Sequence, residues 1–277
     1  MELCRKYGTS PFRLAMLHGG PGAAGEMAPV ARELSATYGV LEPLQSAYSI
    51  EGQVGELGRV LGRHSFLPVT LLGFSWGAWL GLIFAAAYPA AVRKLILVGS
   101  PPFEADYAAG ILETRLSRMN GEERAEVRSL FEVLEDPSST GKQEAFGRLG
   151  ELFERTDAFD PLPIPPGTID ADVALFRSVW EEARALRTSG EILKIAAYLK
   201  CPVVAIHGDA DPHPPAGVGT PLPRVVRDFR FILIQQCGPR PWIERQASEK
   251  FYAVLREELP PDASLRDVST DRPQAGP

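Results

Sequence analysis

VTLLGFSWGAWLGLIFAAAYP, residues 69–89, is the stretch that decides the fold. Residues 69–74 are largely apolar and read as a strand that is buried on both faces. Residues 76–88 are almost all apolar and have the length of a helix. A buried strand that passes directly into a buried helix is typical of a parallel sheet covered by helices, so this stretch predicts an α/β protein.

The same alternation continues on both sides of this stretch. Ser49 is a suitable N-cap for the helix that precedes it. We predict strands at 13–18, 39–42, 69–74, 94–98, 202–207 and 228–235, and helices at 26–38, 49–64, 76–88 and 243–259. The fold class is therefore α/β, with a mostly parallel sheet flanked by helices.

The strand pattern is absent between Pro101 and about Leu199. Charged amphipathic stretches there predict helices at 104–118, 121–135, 142–155 and 170–188, broken by PLPIPPG at 161–167. We therefore expect an α/β core from 1–100 and 201–260, with a helical cap at 101–200 inserted into it. The last segment, 261–277, is rich in Pro, Asp and Ser and is predicted to be disordered.

Composition narrows the class of protein. The 277 residues are 45% hydrophobic and 23% charged, as in a globular protein, and the net charge of −6 argues against a nucleic-acid partner. We read no signal peptide in MELCRKYGTS, and the longest apolar run, Gly77–Tyr88, is too short to span a membrane. We expect a cytoplasmic protein. Three widely spaced cysteines (Cys4, Cys201 and Cys237) indicate neither disulfides nor a metal site, and we expect no metal or organic cofactor.

GFSWG, residues 73–77, matches the G-x-S-x-G pattern of a nucleophile elbow. Such an elbow needs a strand before it and a helix after it, which is the predicted context here. Gly73 and Gly77 leave room around a strained turn that lifts the Ser75 hydroxyl above the sheet. The alternative is an ordinary strand–helix turn with no chemistry.

LHGGPG, residues 17–22, follows the first predicted strand. The backbone N–H of Gly20 is a candidate for one half of an oxyanion hole, and the N–H of Trp76 for the other half.

A second interpretation of the same loop is a dinucleotide site. Gly20, Gly22 and Gly25 spell G-x-G-x-x-G after a strand, and Glu42 lies near the end of the next strand. Pro21 removes a backbone donor from that loop, and this interpretation leaves GFSWG unexplained.

HGDADPHP, residues 207–214, follows a predicted strand. Asp211 is placed to act as the acid of a catalytic triad, and Asp209 to bond backbone N–H groups of the turn. Alternatively, both aspartates are turn residues only.

Together these stretches resemble the α/β-hydrolase fold family, and within it the branch related to proline iminopeptidases, which has HGGPG followed by G-x-S-W-G. The resemblance implies a serine hydrolase that acts on ester or amide bonds of small molecules or short peptides. It assigns Ser75 as nucleophile, Asp211 as acid, and Gly20 and Trp76 as oxyanion donors. EPLQSAYS, residues 42–49, lacks the Asp-Gln-Arg-Gly signature of true proline iminopeptidases.

The base expected from the resemblance is missing. Relatives read Cys-Gly-His-x-Pro-Trp at the last loop, where this chain has CGPRPW at 237–242, so Pro239 occupies the histidine position. Proline cannot accept a proton, and Arg240 stays protonated. We therefore expect impaired hydrolysis, and the competing class is a non-catalytic protein that keeps the pocket for binding a ligand.

The chain contains four histidines, at 18, 64, 207 and 213. His18 and His207 each precede a glycine at the end of a strand, and we interpret both as structural. His64 ends a predicted helix. Only His213 follows the acid, and it is the possible substitute base if its ring comes within about 3 Å of the Ser75 hydroxyl.

Overall fold

A single seven-stranded sheet forms the centre of the computed structural model, which describes residues 4–163 and 172–259. The strands are β1 (Cys4–Tyr7), β2 (Phe12–Leu17), β3 (Gly39–Pro43), β4 (Val69–Phe74), β5 (Val92–Val98), β6 (Val203–Gly208) and β7 (Phe229–Ile234). Their order is β1-β3-β2-β4-β5-β6-β7. Only the β1–β3 pair is antiparallel. The predicted α/β class with a mostly parallel sheet is confirmed.

Helices cover both faces of this sheet. They are α1 (Ala28–Leu34), α2 (Ile50–His64), α3 (Trp76–Ala87), α4 (Ala105–Ala108), α5 (Ile111–Ser117), α6 (Gly121–Glu135), α7 (Lys142–Asp157), α8 (Val173–Thr188), α9 (Glu191–Ala196), α10 (Ala216–Gly219) and α11 (Ser248–Glu258). No helix of the described residues is long and apolar enough to cross a membrane. The stretch between β5 and β6, which we call the insertion, contains α4 to α9 and no strand in its described part.

The two faces of the sheet are distinguished by the alternation of side chains along each strand. Leu71 packs on the side of α2 and α3, whereas its neighbour Leu72 packs on the side of α1 and α11. Both leucines are fully buried. Because β4 is covered on both faces, its sequence is a continuous apolar run rather than an alternating one.

The observed helices agree with the predicted ones in part. The predicted N-cap is present, since the Ser49 hydroxyl accepts a hydrogen bond from the Gly52 N–H at 3.1 Å. The helix predicted at 104–118 is broken into α4 and α5, and the last helix begins at Ser248 rather than at 243, where the structure has a 3₁₀ turn, Pro241–Ile243. Residues 164–167 of the predicted break and the predicted disordered segment 261–277 lie outside the described residues.

Candidate active site

Ser75 occupies a strained turn between β4 and α3. Its φ of 49° and ψ of −117° lie in a region that L-residues rarely adopt. A Cβ atom added at Gly73 would overlap the Gly77 carbonyl, and one added at Gly77 would overlap the Leu17 carbonyl. The turn therefore requires glycine on both sides, as the sequence pattern predicts.

The glycine loop lies beside this turn. Because Gly77 packs against the carbonyls of Leu17 and His18, the start of α3 contacts the end of β2, where the loop begins. Gly20 has a positive φ of 29°. Trp76 is the first residue of α3, so its backbone N–H has no partner within the helix. Both candidate oxyanion donors are thus at the same edge of the sheet as Ser75.

A half-buried carboxyl supports the glycine loop. The Gly19 N–H donates to Glu26 Oε2 at 3.0 Å. Burial raises the pKa of Glu26 to about 7, although the nearby Arg240 guanidinium acts in the opposite direction. Glu26 is not predictable as a site residue, because no motif in the sequence indicates that its carboxyl reaches the Gly19 N–H.

His18 has the structural role that the sequence predicts. Burial lowers its pKa to about 4, so the ring is neutral near pH 7. Its Nδ1 lies 3.0 Å from the Gly19 carbonyl oxygen, and its Nε2 accepts from the Gln45 N–H at 3.3 Å. Both ring nitrogens are used to hold the loop.

Asp211 is buried in the turn that follows β6. Its Oδ1 accepts from the backbone N–H of His213 at 2.8 Å and lies 2.9 Å from Nδ1 of the same residue. The Nε2 of His207 is 3.2 Å from Oδ2, but its hydrogen bond goes to the His213 carbonyl at 2.9 Å. Among the described residues, Oδ2 has no hydrogen-bond partner.

The charge state of Asp211 follows from these neighbours. Burial alone would raise the pKa of its carboxyl, but His213 and His207 outweigh burial and hold the pKa below its usual value. For His207, burial is the larger influence and lowers the pKa. The structure therefore contains a buried carboxylate with one oxygen, Oδ2, that accepts no hydrogen bond among the described residues and lies 3.2 Å from His207 Nε2.

Pro239 lies in the loop that follows β7, next to the turn of Asp211 and to the elbow at Ser75. The Ala210 N–H donates to the Cys237 carbonyl at 2.9 Å, which joins the turn of Asp211 to this loop. The Pro239 carbonyl oxygen would be 2.6 Å from a Cβ at Gly99, the residue after β5. Since the Ser75 N–H bonds the Val98 carbonyl at 2.9 Å, position 239 and the elbow flank the same strand end.

Asp209 fixes the same loop from the other side. Its Oδ1 accepts from the Cys237 N–H at 3.1 Å, which agrees with the backbone-bonding role predicted for it. The sequence analysis missed Glu244, which is fully buried and binds the loop more extensively. Its Oε1 accepts from the Gly238 N–H at 2.9 Å and the Phe159 N–H at 2.8 Å, and its Oε2 accepts from the Asp160 N–H at 2.8 Å.

The alternative dinucleotide site is not supported by the position of its acidic residue. Glu42 is fully buried, accepts from the Tyr7 hydroxyl at 2.7 Å and lies 3.7 Å from Arg5. A carboxylate that is enclosed in this way cannot bind a ribose.

Comparisons with known proteins show the fold family of the chain. A model of the alpha/beta hydrolase fold family matches residues 21–238. By sequence, no curated protein matches the chain.

Solved structures resemble this fold at low sequence identity. VinJ is 18% identical with a TM-score of 0.68, over 92% of this chain and 93% of VinJ. A putative lipase of Acinetobacter baumannii is 18% identical with a TM-score of 0.64, over 92% and 87% of the two chains. Proline iminopeptidase of Mycobacterium smegmatis is 17% identical with a TM-score of 0.58, over 92% and 93%. Since the family model covers most of the sequence and the sheet has the corresponding architecture, the chain belongs to the α/β-hydrolase fold family.

Proposed function

We propose that this protein is a serine hydrolase for ester or amide bonds of small molecules or short peptides, in which the position of the general base is vacated. Ser75 is the nucleophile and Asp211 the acid. The N–H groups of Gly20 and Trp76 stabilise the oxyanion. Pro239 stands where the base belongs.

The unpartnered Oδ2 of Asp211 carries this proposal. A buried carboxylate oxygen without a donor costs about 1–3 kcal/mol. The loop of residues 237–239 lies directly beside the turn of Asp211, and a histidine at 239 would supply a ring N–H to such an oxygen. Proline at that position supplies none. At position 239 there is therefore no base that Oδ2 of the acid could orient.

The chemistry follows from what each group can do. For acyl transfer, the Ser75 Oγ must lose its proton as it forms the bond to the substrate carbonyl carbon, and the resulting oxyanion is stabilised by the two backbone N–H groups. The proton then goes to the leaving alcohol or amine. Without a base at 239, both proton transfers depend on water, and turnover should be slow.

His213 is the internal alternative as a base. Its Nδ1 already lies 2.9 Å from Asp211 Oδ1, which is the pairing that orients a catalytic histidine. Its backbone is held at both ends, since its N–H donates to Asp211 and its carbonyl accepts from His207. The substitution His213→Ala removes this ring, and its effect on turnover distinguishes a protein with no base from one in which His213 is the base.

Hydrolysis of p-nitrophenyl acetate and labelling of Ser75 by a fluorophosphonate probe test the proposal. We expect wild-type turnover near background, well below ~1 s⁻¹, with slow labelling that Ser75→Ala abolishes. Ser75-dependent turnover of ~1 s⁻¹ or more that is lost in His213→Ala would assign the base to His213. A complete lack of labelling would favour the alternative function, a ligand-binding protein with this fold.

A further inference from the structure

The first turn of α8 lies against the glycine loop of the candidate active site. A side-chain carbon of Leu175 would be 3.2 Å from a Cβ at Gly22, and the Phe176 ring edge would be 4.0 Å from a Cβ at Gly20. Gly20 is the proposed oxyanion donor, so a substrate whose carbonyl oxygen reaches that N–H has the Phe176 ring beside it.

Phe176 belongs to a row of three aromatic side chains, which we call the aromatic wall. The ring centroids of Phe146 and Phe176 are 4.8 Å apart, and those of Phe176 and Trp180 are 6.0 Å apart in a stacked arrangement. All three residues are partly exposed rather than sealed in the core. The ring planes of Phe146 and Phe176 are inclined by 51°, and those of Phe176 and Trp180 by 22°. The exposed parts of the three rings therefore form an apolar surface on which a further ring can pack edge-to-face or offset-stacked.

The position of the wall is fixed by contacts between α8 and the core. The Ser178 hydroxyl donates to the Tyr48 carbonyl at 2.7 Å, and the Ile50 N–H donates to Glu182 at 2.9 Å. The Tyr48 hydroxyl donates to Asp172, the N-cap of α8, at 2.6 Å. Contacts to the core thus fix α8 both before Phe176, at Asp172, and after it, at Ser178 and Glu182.

Charged groups near the wall already have partners. The Asp172 carboxylate accepts from the Tyr48 hydroxyl and from two N–H groups of α8, at Ala174 and Leu175. The Arg187 guanidinium lies 6.0 Å from the centroid of the Trp180 ring, where it makes a cation–π contact. A second cation on the wall would be repelled by the positive charge of Arg187.

We propose that Phe176 determines specificity, and that the aromatic wall receives a flat, uncharged apolar group, such as a phenyl ring, on the acyl side of the substrate. This inference rests on the proposed function for the position of the carbonyl, but the binding that it describes does not require turnover. It favours apolar esters over peptides with a free terminal ammonium.

Binding of three methyl esters to the wild-type protein tests the inference without catalysis. Methyl phenylacetate carries the phenyl group, phenylalanine methyl ester adds an ammonium to it, and methyl acetate lacks the ring. We expect methyl phenylacetate to bind about tenfold more tightly than either of the others, as measured by quenching of tryptophan fluorescence. Trp180→Phe should remove most of the signal, because Trp180 is the tryptophan in the wall.

Variants then assign the preference to one ring. Phe176→Ala should abolish the tenfold preference, and Phe176→Leu, which keeps an apolar side chain without a flat face, should reduce it severalfold. Phe66→Ala is the matched control, since Phe66 is exposed on the loop before β4, at the opposite edge of the sheet. A preference that persists in folded Phe176→Leu, or equal binding of the charged ester, would overturn the inference. If Phe176→Ala does not fold, the binding preference of Phe176→Leu alone decides whether the inference holds.

Kinetics in a Pro239→His background separate this inference from the proposed function. If neither p-nitrophenyl phenylacetate nor p-nitrophenyl acetate is hydrolysed while the binding preference is present, the hydrolase assignment fails and the aromatic wall stands as a binding site. If both esters are hydrolysed with a ratio of kcat/KM that Phe176→Leu leaves unchanged, the specificity role fails and the hydrolase assignment stands.

Discussion

At position 239 a single substitution tests whether the base is the only missing part. Pro239→His places an imidazole beside the turn of Asp211, whose Oδ2 is free to accept its ring N–H. We expect kcat/KM for p-nitrophenyl acetate to rise about 10²–10⁴-fold, the usual contribution of a positioned general base. The full ~10⁶-fold that a histidine carries in subtilisin is not expected, because this loop has been shaped by proline.

Two further substitutions in the Pro239→His protein test whether its gain in activity depends on the proposed nucleophile and acid. Ser75→Ala should eliminate the gain in the Pro239→His protein, and Asp211→Asn should eliminate most of it. The loop has supports that do not depend on the proline ring, since the Gly238 N–H is held by Glu244. A folded Pro239→His protein with no gain would therefore mean that more than the base has been lost, and the ligand-binding function would be the better assignment.

Glu26 makes stability depend on pH in a direction opposite to that of most carboxyls. An unfolded Glu loses its proton near pH 4.5, whereas burial keeps Glu26 protonated up to about pH 7. Between these pH values the folded state binds more protons, so its stability falls as pH rises. Among the charged neighbours, Arg240 lowers the pKa of Glu26, whereas Glu154 and Glu42 raise it.

Glu26→Gln should remove that dependence, because the amide oxygen still accepts from the Gly19 N–H and carries no charge at any pH. Relative to wild type, the free energy of unfolding of Glu26→Gln should increase from pH 5 to pH 8 by on the order of 2–3 kcal/mol, in urea titrations at each pH. Parallel stability–pH curves for the two proteins would mean that Glu26 is already ionised at pH 5.

Among the elements, the loop after β7 and the insertion are joined by the Glu244 carboxylate. Glu244→Ala would leave three backbone N–H groups, at Gly238, Phe159 and Asp160, without their acceptor. We expect a loss of about 3 kcal/mol in the free energy of unfolding in urea, and a smaller loss for Glu244→Gln, which keeps one acceptor oxygen. Glu257→Ala, on the exposed side of α11, is the matched control and should change little.

The elements that the sequence predicts well are those whose signal is local. β4 and α3 are continuous apolar runs separated by glycines, so their existence and the turn at Ser75 follow from the pattern itself. β1 was not predicted, because three of its four residues are not buried and it is held only by antiparallel pairing with β3. Glu244 was not predicted as a site residue because its partners in the insertion lie 84 and 85 positions away in the chain. Contacts at such separations leave no pattern in the sequence.

Across the whole molecule, burial is divided unequally between the sheet and the insertion. Side chains of β4 are buried on both faces of the sheet, in two large clusters. By contrast, α6 and α7 pack around a separate small cluster of Met119, Val127, Leu149 and Leu152. Since the opening of a segment costs less where fewer apolar contacts are lost, α6 and α7 should open more readily than the sheet, whereas α8 and α9 share the large cluster of the sheet.

Hydrogen exchange should reveal this difference as a hierarchy within the molecule. We expect amides of α6 and α7 to exchange faster than those of β4 and β6, because the small cluster between these helices supplies less burial than the sheet does. The N–H groups of Phe159 and Asp160 should be an exception within the insertion, since both donate to the buried Glu244, and Glu244→Ala should remove their protection selectively. Uniform protection of these helices and the strands would mean that α6 and α7 open together with the sheet as one cooperative unit, which would contradict a part of the cap that moves separately from the core.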